Sequence, residues 1–201
     1  MAALAIALYA AYLLLAFVLR SVIQKRRTGS TGFKGLSGAV GSAEWTGGVM
    51  FALALALGFA APVLDLAGVL EPVGSLDGLV GHAAGVVLAV GGIALTLYAQ
   101  LAMGTSWRIG VDEGERTDLV THGPFALVRN PIFAAMLPTS LGLVLIVPNV
   151  AALVGFTALV AALELQTRAV EEPYLLRVHG ERYAGYARRV GRFAPGLGRL
   201  T

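Results

Sequence analysis

The chain has 201 residues, 57% of them hydrophobic and 13% charged, with a mean hydropathy of +0.76 and a formal net charge of +3. That composition lies far from soluble-domain averages and is that of an integral membrane protein of one domain, residues 1–201. With no cysteine there is no disulfide framework, thiolate metal site or thiol nucleophile, and His82, His122 and His179 lie too far apart in sequence to suggest a metal centre.

A membrane-crossing helix needs roughly 20 mostly apolar residues. Five segments qualify: 2–23, 45–64, 79–103, 132–147 and 150–165. The first has no basic stretch before it and is long enough to span, so it is not read as a cleaved signal peptide. The last two are short, and only Pro148 and Asn149 separate them. Proline stops one helix and asparagine caps the next, which predicts a tight hairpin. The expected fold is all-α and polytopic, with about five transmembrane helices, a hairpin of helices four and five, and a helical C-terminal tail.

The placement of charge sets the expected orientation. Lys25, Arg26, Arg27 and Lys34 follow the first helix; Arg108, Arg116 and Arg129 follow the third; Arg168, Arg177, Arg182, Arg188, Arg189, Arg192 and Arg199 follow the fifth. The connection between helices two and three has Asp65, Glu71 and Asp77 and no basic residue. By the positive-inside rule the N-terminus lies outside and the C-terminus in the cytoplasm. Pairs of small residues, Gly81 with Gly85 and the doublets Gly47-Gly48 and Gly91-Gly92, allow close helix approach. They read as packing within one chain, with a monomer or weak homodimer as the expected state. The glycine-rich stretch 29–42 reads as a flexible cytoplasmic loop.

Three constellations offer chemistry. The polar segment 104–133, GTSWRIGVDEGERTDLVTHGPFALVRNPIF, sits inside an otherwise apolar chain and can lie only in water or in a protein-lined cavity. It contains a turn, Thr121-His122-Gly123-Pro124-Phe125, and ends on Arg129-Asn130-Pro131, which reads as a helix start with Asn130 as N-cap. Such a start also presents free N–H groups and a positive dipole to an anion. At the exit of helix five, Glu164 and Arg168 read as an i, i+4 ion pair, and the adjacent carboxylates Glu171 and Glu172 suit a cationic ligand. In the tail, Pro173 is expected to open a new amphipathic helix with Tyr174, Tyr183 and Tyr186 on its apolar side.

Taken together, Leu119 to Phe125, then Val128-Arg129-Asn130-Pro131-Ile132-Phe133, the hairpin, and Glu171-Glu172 followed by His179-Gly180-Glu181-Arg182-Tyr183 and Tyr186 resemble the isoprenylcysteine carboxyl methyltransferase family. The resemblance covers about residues 107–195. It divides the chain into an N-terminal two-helix part, 1–78, and a core, 79–201. It implies an integral membrane methyltransferase that takes S-adenosylmethionine from the cytoplasm and a lipophilic acceptor from the bilayer, with a carboxylate as one acceptor class and no nucleic acid involved. The cofactor-contacting residues it implies are Val120, His122, Gly123, Pro124, Arg129, Asn130, Pro131, Phe133, Glu171, Glu172, Tyr183 and Tyr186. Arg108, Arg188 and Arg192 are candidates to orient a carboxylate acceptor.

The chain departs from the family's Arg-His-Pro pattern at Asn130, where histidine is usual, and at Phe133, where tyrosine is usual. Asparagine can hydrogen-bond but cannot titrate, so no histidine base operates there. Two other readings compete: an NADPH-dependent membrane reductase of the sterol-reductase type, and a non-catalytic membrane protein that binds a lipid or a partner helix. Paired carboxylates fit a sulfonium better than the extra phosphate of NADPH.

Overall fold

The computed structural model describes residues 1–32, 38–108 and 118–200; Lys34 and Arg116, used above for orientation, and the middle of both polar loops lie outside them. Among the described residues the architecture is all-helical. Six helices follow in order: α1 (Ala2–Thr28), α2 (Ala43–Leu66), α3 (Leu79–Met103), α4 (Pro131–Ile146), α5 (Val150–His179) and α6 (Glu181–Arg189). Of the five expected spans, α1, α2, α3 and α5 are long and apolar enough to cross a membrane. The fifth, α4, has 16 residues and covers about 24 Å, short of a hydrocarbon core of roughly 30 Å.

Two helices run further than their apolar stretches. The first continues to Thr28, so Lys25, Arg26 and Arg27 sit on its last turn, where cations complement the helix dipole, and not in a following loop. Gly29 then ends it in the left-handed conformation at φ 81°. The fifth was expected to stop near Leu165 and a new helix to begin at Pro173. Instead α5 runs unbroken to His179, because residues Gln166–Glu171 form a wider π-type turn just before the proline. A widened turn gives the pyrrolidine ring room where a regular α-turn would clash with it. A similar turn at Leu14–Leu19 in α1 accompanies a hydrogen bond from Gln100 Nε2 to the Ala16 carbonyl at 2.8 Å.

Small residues decide the closest packing. A Cβ on Gly142 would lie 2.5 Å from Ala89 N and Gly85 O, and one on Gly92 would lie 2.7 Å from Thr139 N. Gly85, Ala89 and Gly92 thus bring the backbone of α3 against that of α4 within one chain. Gly91, next in sequence, has open space around it. On the other side, Gly155 of α5 meets Leu57 and Gly58 of α2, and α1 inserts its buried stripe of Ala5, Tyr9, Tyr12 and Ala16 between the pairs. The Tyr9 hydroxyl donates to the Leu55 carbonyl at 2.6 Å.

The α4–α5 hairpin forms as its sequence requires. Asn149 is completely buried, accepts from Ala152 N at 3.0 Å as the N-cap of α5, and donates its Nδ2 to the Ala61 carbonyl of α2 at 2.9 Å.

Candidate functional site

A cavity of about 390 Å³ opens where the apolar parts of the helices meet the polar segments. Phe17 of α1, Phe51 and Leu55 of α2, Met136 of α4, and Ala162 and Leu163 of α5 form its apolar side. The lining is completed by Arg108, Asp118, Val120, the run Arg129 to Phe133, and Glu171, Tyr174, Tyr183 and Tyr186 from the end of α5 and from α6. Its size is that of a small-molecule site, and its lining is mostly apolar with a few polar groups, as such sites are.

Each polar wall has a local cause. Trp107, 2% exposed, is fixed by Arg20 of α1, whose guanidinium lies over the indole at 4.7 Å and donates to the Gly104 carbonyl, while Gln24 donates to the Thr105 carbonyl at 2.7 Å. This holds Arg108 at the cavity, stacked 5.3 Å over the Tyr174 ring. The Thr121–Phe125 turn is a 3₁₀ turn, Gly123–Ala126, entered by Gly123 at φ 59°, a conformation that glycine adopts without strain. Asn130 occupies the N-cap position of α4, but its side chain makes no capping hydrogen bond. The expected side-chain cap is absent, and Asn130 is part of the cavity lining.

The two glutamates part company. Glu171 lines the cavity. Glu172 is buried behind the wall, where its Oε1 accepts from Arg129 Nη2 at 2.6 Å and from Arg192 Nε at 2.8 Å, and its Oε2 from Arg192 Nη2 at 2.8 Å. These hydrogen bonds raise the pKa of Arg192 above its usual value. Burial, and then the nearby Glu172 carboxylate, raise that of Tyr183; burial pushes Tyr186 up to about 12. Both phenols are therefore neutral at physiological pH, and Tyr186 donates to the Phe125 carbonyl at 2.5 Å.

Of the residues singled out in the sequence, Arg108, Val120, Arg129, Asn130, Pro131, Phe133, Glu171, Tyr183 and Tyr186 meet around one space. His122 is exposed, Gly123 packs toward Ala102 and Tyr98, and Pro124 is buried below the turn, all outside the described lining. Arg192 is engaged by Glu172, and Arg188 pairs with Glu181 at the surface at 3.1 Å. Glu164 and Arg168 form the expected ion pair. Sequence reasoning missed the contribution of the N-terminal half: Phe17, Gly47, Gly48 and Phe51 line the cavity, and of these only the Gly47-Gly48 doublet carried a visible signal. Among the described residues no group of acidic or histidine side chains is arranged to hold a metal.

The fold and cavity are those of a polytopic helical membrane protein with a small-molecule site, and the family match makes it a membrane methyltransferase. The model of the phospholipid methyltransferase family matches residues 80–182, just over half of the chain, and the chain belongs to that family. No curated protein sequence matches it. Among solved structures it is similar to the eukaryotic intramembrane Ras methyltransferase ICMT (isoprenylcysteine carboxyl methyltransferase), determined without a monobody, with a TM-score of 0.58 and 20% identity over 98% of this chain and 69% of that one. The fold is thus the one that the sequence motifs resembled.

Proposed function

We propose that this protein transfers a methyl group from S-adenosylmethionine to a lipophilic acceptor that reaches the cavity from the bilayer. The observation that carries this reading is a cavity lined both by apolar residues of the spans and by charged and tyrosine residues of the polar segments and tail. A narrower apolar space of about 50 Å³ lies among α1, α2, α4 and α5 and shares Phe51, Leu55 and Met136 with the cavity, which suits a hydrocarbon substituent on the acceptor. On this reading the N-terminus faces outward, and the C-terminus and the cavity mouth face the cytoplasm.

The donor set fits the cofactor. When bound, S-adenosylmethionine supplies a methyl group on a sulfonium. Glu171 offers a carboxylate for hydroxyl, amino or sulfonium groups, and Asn130, with the first-turn N–H groups of Ile132 and Phe133 that have no partner within α4, offers donors for a carboxylate. Tyr183 and Tyr186 close the space with neutral rings, and Val120, Pro131 and Phe133 exclude water. Arg108 stands where it would orient an anionic acceptor. The described charged lining is Glu44, Asp118 and Glu171 against Arg108 and Arg129, and Arg129 is bound to Glu172. Such a lining favours a sulfonium over the added phosphate of NADPH. Positioning two reactants supplies up to roughly 7–11 kcal/mol in oriented model reactions, so no catalytic base is required when the acceptor is already nucleophilic.

Purified protein in detergent is expected to show saturable thermal stabilisation by S-adenosylhomocysteine and none by NADPH, and to move labelled methyl from S-adenosylmethionine into a host lipid extract. Stabilisation by NADPH alone would overturn the reading.

A further inference from the structure

The match to the family model stops at residue 182, yet the chain beyond it is built into the cavity wall. After α6, residues 190–200 fold back as a strap against the loop that precedes α4. Val128 and Gly191 form a parallel bridge, Arg129 N donates to the Gly191 carbonyl at 2.8 Å, and Asn130 N donates to the Arg192 carbonyl at 3.0 Å. The strap is closed on itself by Arg192 N to Leu197 O at 2.7 Å and returns to α6 through Leu200 N to Ala187 O at 3.1 Å. A Cβ on Gly191 would lie 2.7 Å from the Leu197 carbonyl oxygen and 2.8 Å from Gly196 N, so the fold-back leaves no room for a side chain there.

Side chains fasten the same segment. Arg129 gives Nη1 to the carbonyls of Ala187 at 2.8 Å and Val190 at 2.6 Å, and Nη2 to Glu172 at 2.6 Å and the Gly198 carbonyl at 3.0 Å. Its side chain is 1% exposed, and both Nη groups are thus spent on the protein. Arg192 grips Glu172 with two parallel bonds, a geometry that lysine cannot reproduce. The backbone of Asn130 therefore hangs from the strap, and the strap hangs from Glu172 through Arg192.

We propose that the C-terminal strap, residues 190–200, sets the position of Asn130 in the cavity wall, with Glu172 and Arg192 as positioning residues behind the wall and Arg129, itself part of the lining, fastened to the strap through both of its Nη groups. The identity of the ligand at that wall rests on the cofactor reading above; the mechanical relation between Arg192 and Asn130 does not.

The absence of cysteine makes a direct test available. Asn130→Cys gives a protein with one thiol, whose maleimide labelling rate reports how the wall is held. Adding Arg192→Gln is expected to speed labelling at least about tenfold, the effect of losing charge-assisted hydrogen bonds. Adding Arg188→Gln, at the surface pair, is expected to leave the rate unchanged. Arg192→Lys keeps the charge without the fork and is expected to fall between; it also serves if the glutamine variant does not survive purification. Equal rates in the Asn130→Cys protein and in its Arg192 variants would overturn the proposal. S-adenosylhomocysteine is expected to slow labelling of the Asn130→Cys protein. Acceleration by the Arg192 variants without such protection would leave the strap standing and overturn the cofactor reading instead.

Discussion

Glu171 and Glu172 are consecutive in the chain and have different surroundings, the first in the cavity lining and the second in a buried clamp with Arg129 and Arg192. Adjacent positions on a helix are about 100° apart, so one pair of acids can serve a ligand and the fold at once. The wide turn at Gln166–Glu171 ends on this pair and so fixes which acid meets which surroundings.

The two acids are expected to behave differently when neutralised. Glu172→Gln leaves the buried Arg129 guanidinium and the partly buried one of Arg192 without their carboxylate and is expected to destabilise the protein by about 3 kcal/mol, the usual penalty for breaking a buried pair. Glu171→Gln is expected to keep the melting temperature within a few degrees while losing most of the stabilisation by S-adenosylhomocysteine. Thermal melts of both variants, with and without that ligand, separate the roles. If Glu172→Gln melts like the wild type, the clamp does not hold the tail.

Tyr186 gives the protein a predicted alkaline limit. Its folded pKa of about 12 exceeds the ordinary value of about 10. Since the folded state holds the proton more tightly, the corresponding stability is fully present below pH 10 and is lost as pH rises through about 12. Unfolding midpoints are therefore expected to be flat from pH 7 to about 9 as far as this group is concerned and to fall above pH 10. Tyr186→Phe removes the donor to the Phe125 carbonyl and is expected to flatten part of that fall while lowering stability at pH 7 by about 1 kcal/mol. An unchanged alkaline slope in the phenylalanine variant would assign the fall to other groups.

Two neighbouring glycines of α3 predict opposite results. Gly92→Ala places a methyl within 2.7 Å of Thr139 N and 2.9 Å of the Ala135 carbonyl oxygen, atoms of the α4 backbone that cannot turn away. The helices must separate, at a cost of about 1–3 kcal/mol or more. Gly91→Ala meets nothing within 4 Å and is expected to be neutral or to stabilise by up to about 1 kcal/mol through helix propensity. Unfolding in mixed micelles measures both, and equal effects would refute the backbone-contact account of this helix pair.

Much of the helical frame was legible because apolar length and end signals act locally. The long runs mark the spans, and Pro148-Asn149 marks the hairpin. The ends were less legible where helices continue past their apolar part, as in α1 and α5, since polar residues join an existing helix at little cost once it has begun. Pro173 misled because the widened turn at Gln166–Glu171 lets the helix continue through a proline that would otherwise mark a start. At the site, the sequence marked Asn130 and the two glutamates but not the direction of Glu172, which depends on where residues far along the chain return. Phe17 and Phe51 were invisible for a related reason, since an apolar residue shows no chemistry until the fold brings it to a wall, and Arg192 was marked as a charge but not as part of a strap.

Asn149 tests how far local signals carry tertiary weight. Its Oδ1 caps α5 through Ala152 N, and its Nδ2 binds the Ala61 carbonyl, so one side chain ends the hairpin turn and ties it to α2. Asn149→Ala removes both bonds at a fully buried position and is expected to cost about 2 kcal/mol or more, from the lost cap and the unpaired carbonyl together. Asn149→Asp keeps the acceptor that caps α5 but loses the donor to Ala61 and sets a carboxylate against a carbonyl oxygen. If capping alone matters, the aspartate variant will match the wild type in unfolding midpoint. If the tie to α2 carries the larger share, both variants will fall, and the aspartate variant at least as far as the alanine one. The full burial of the side chain, away from water that could replace either partner, favours the second outcome.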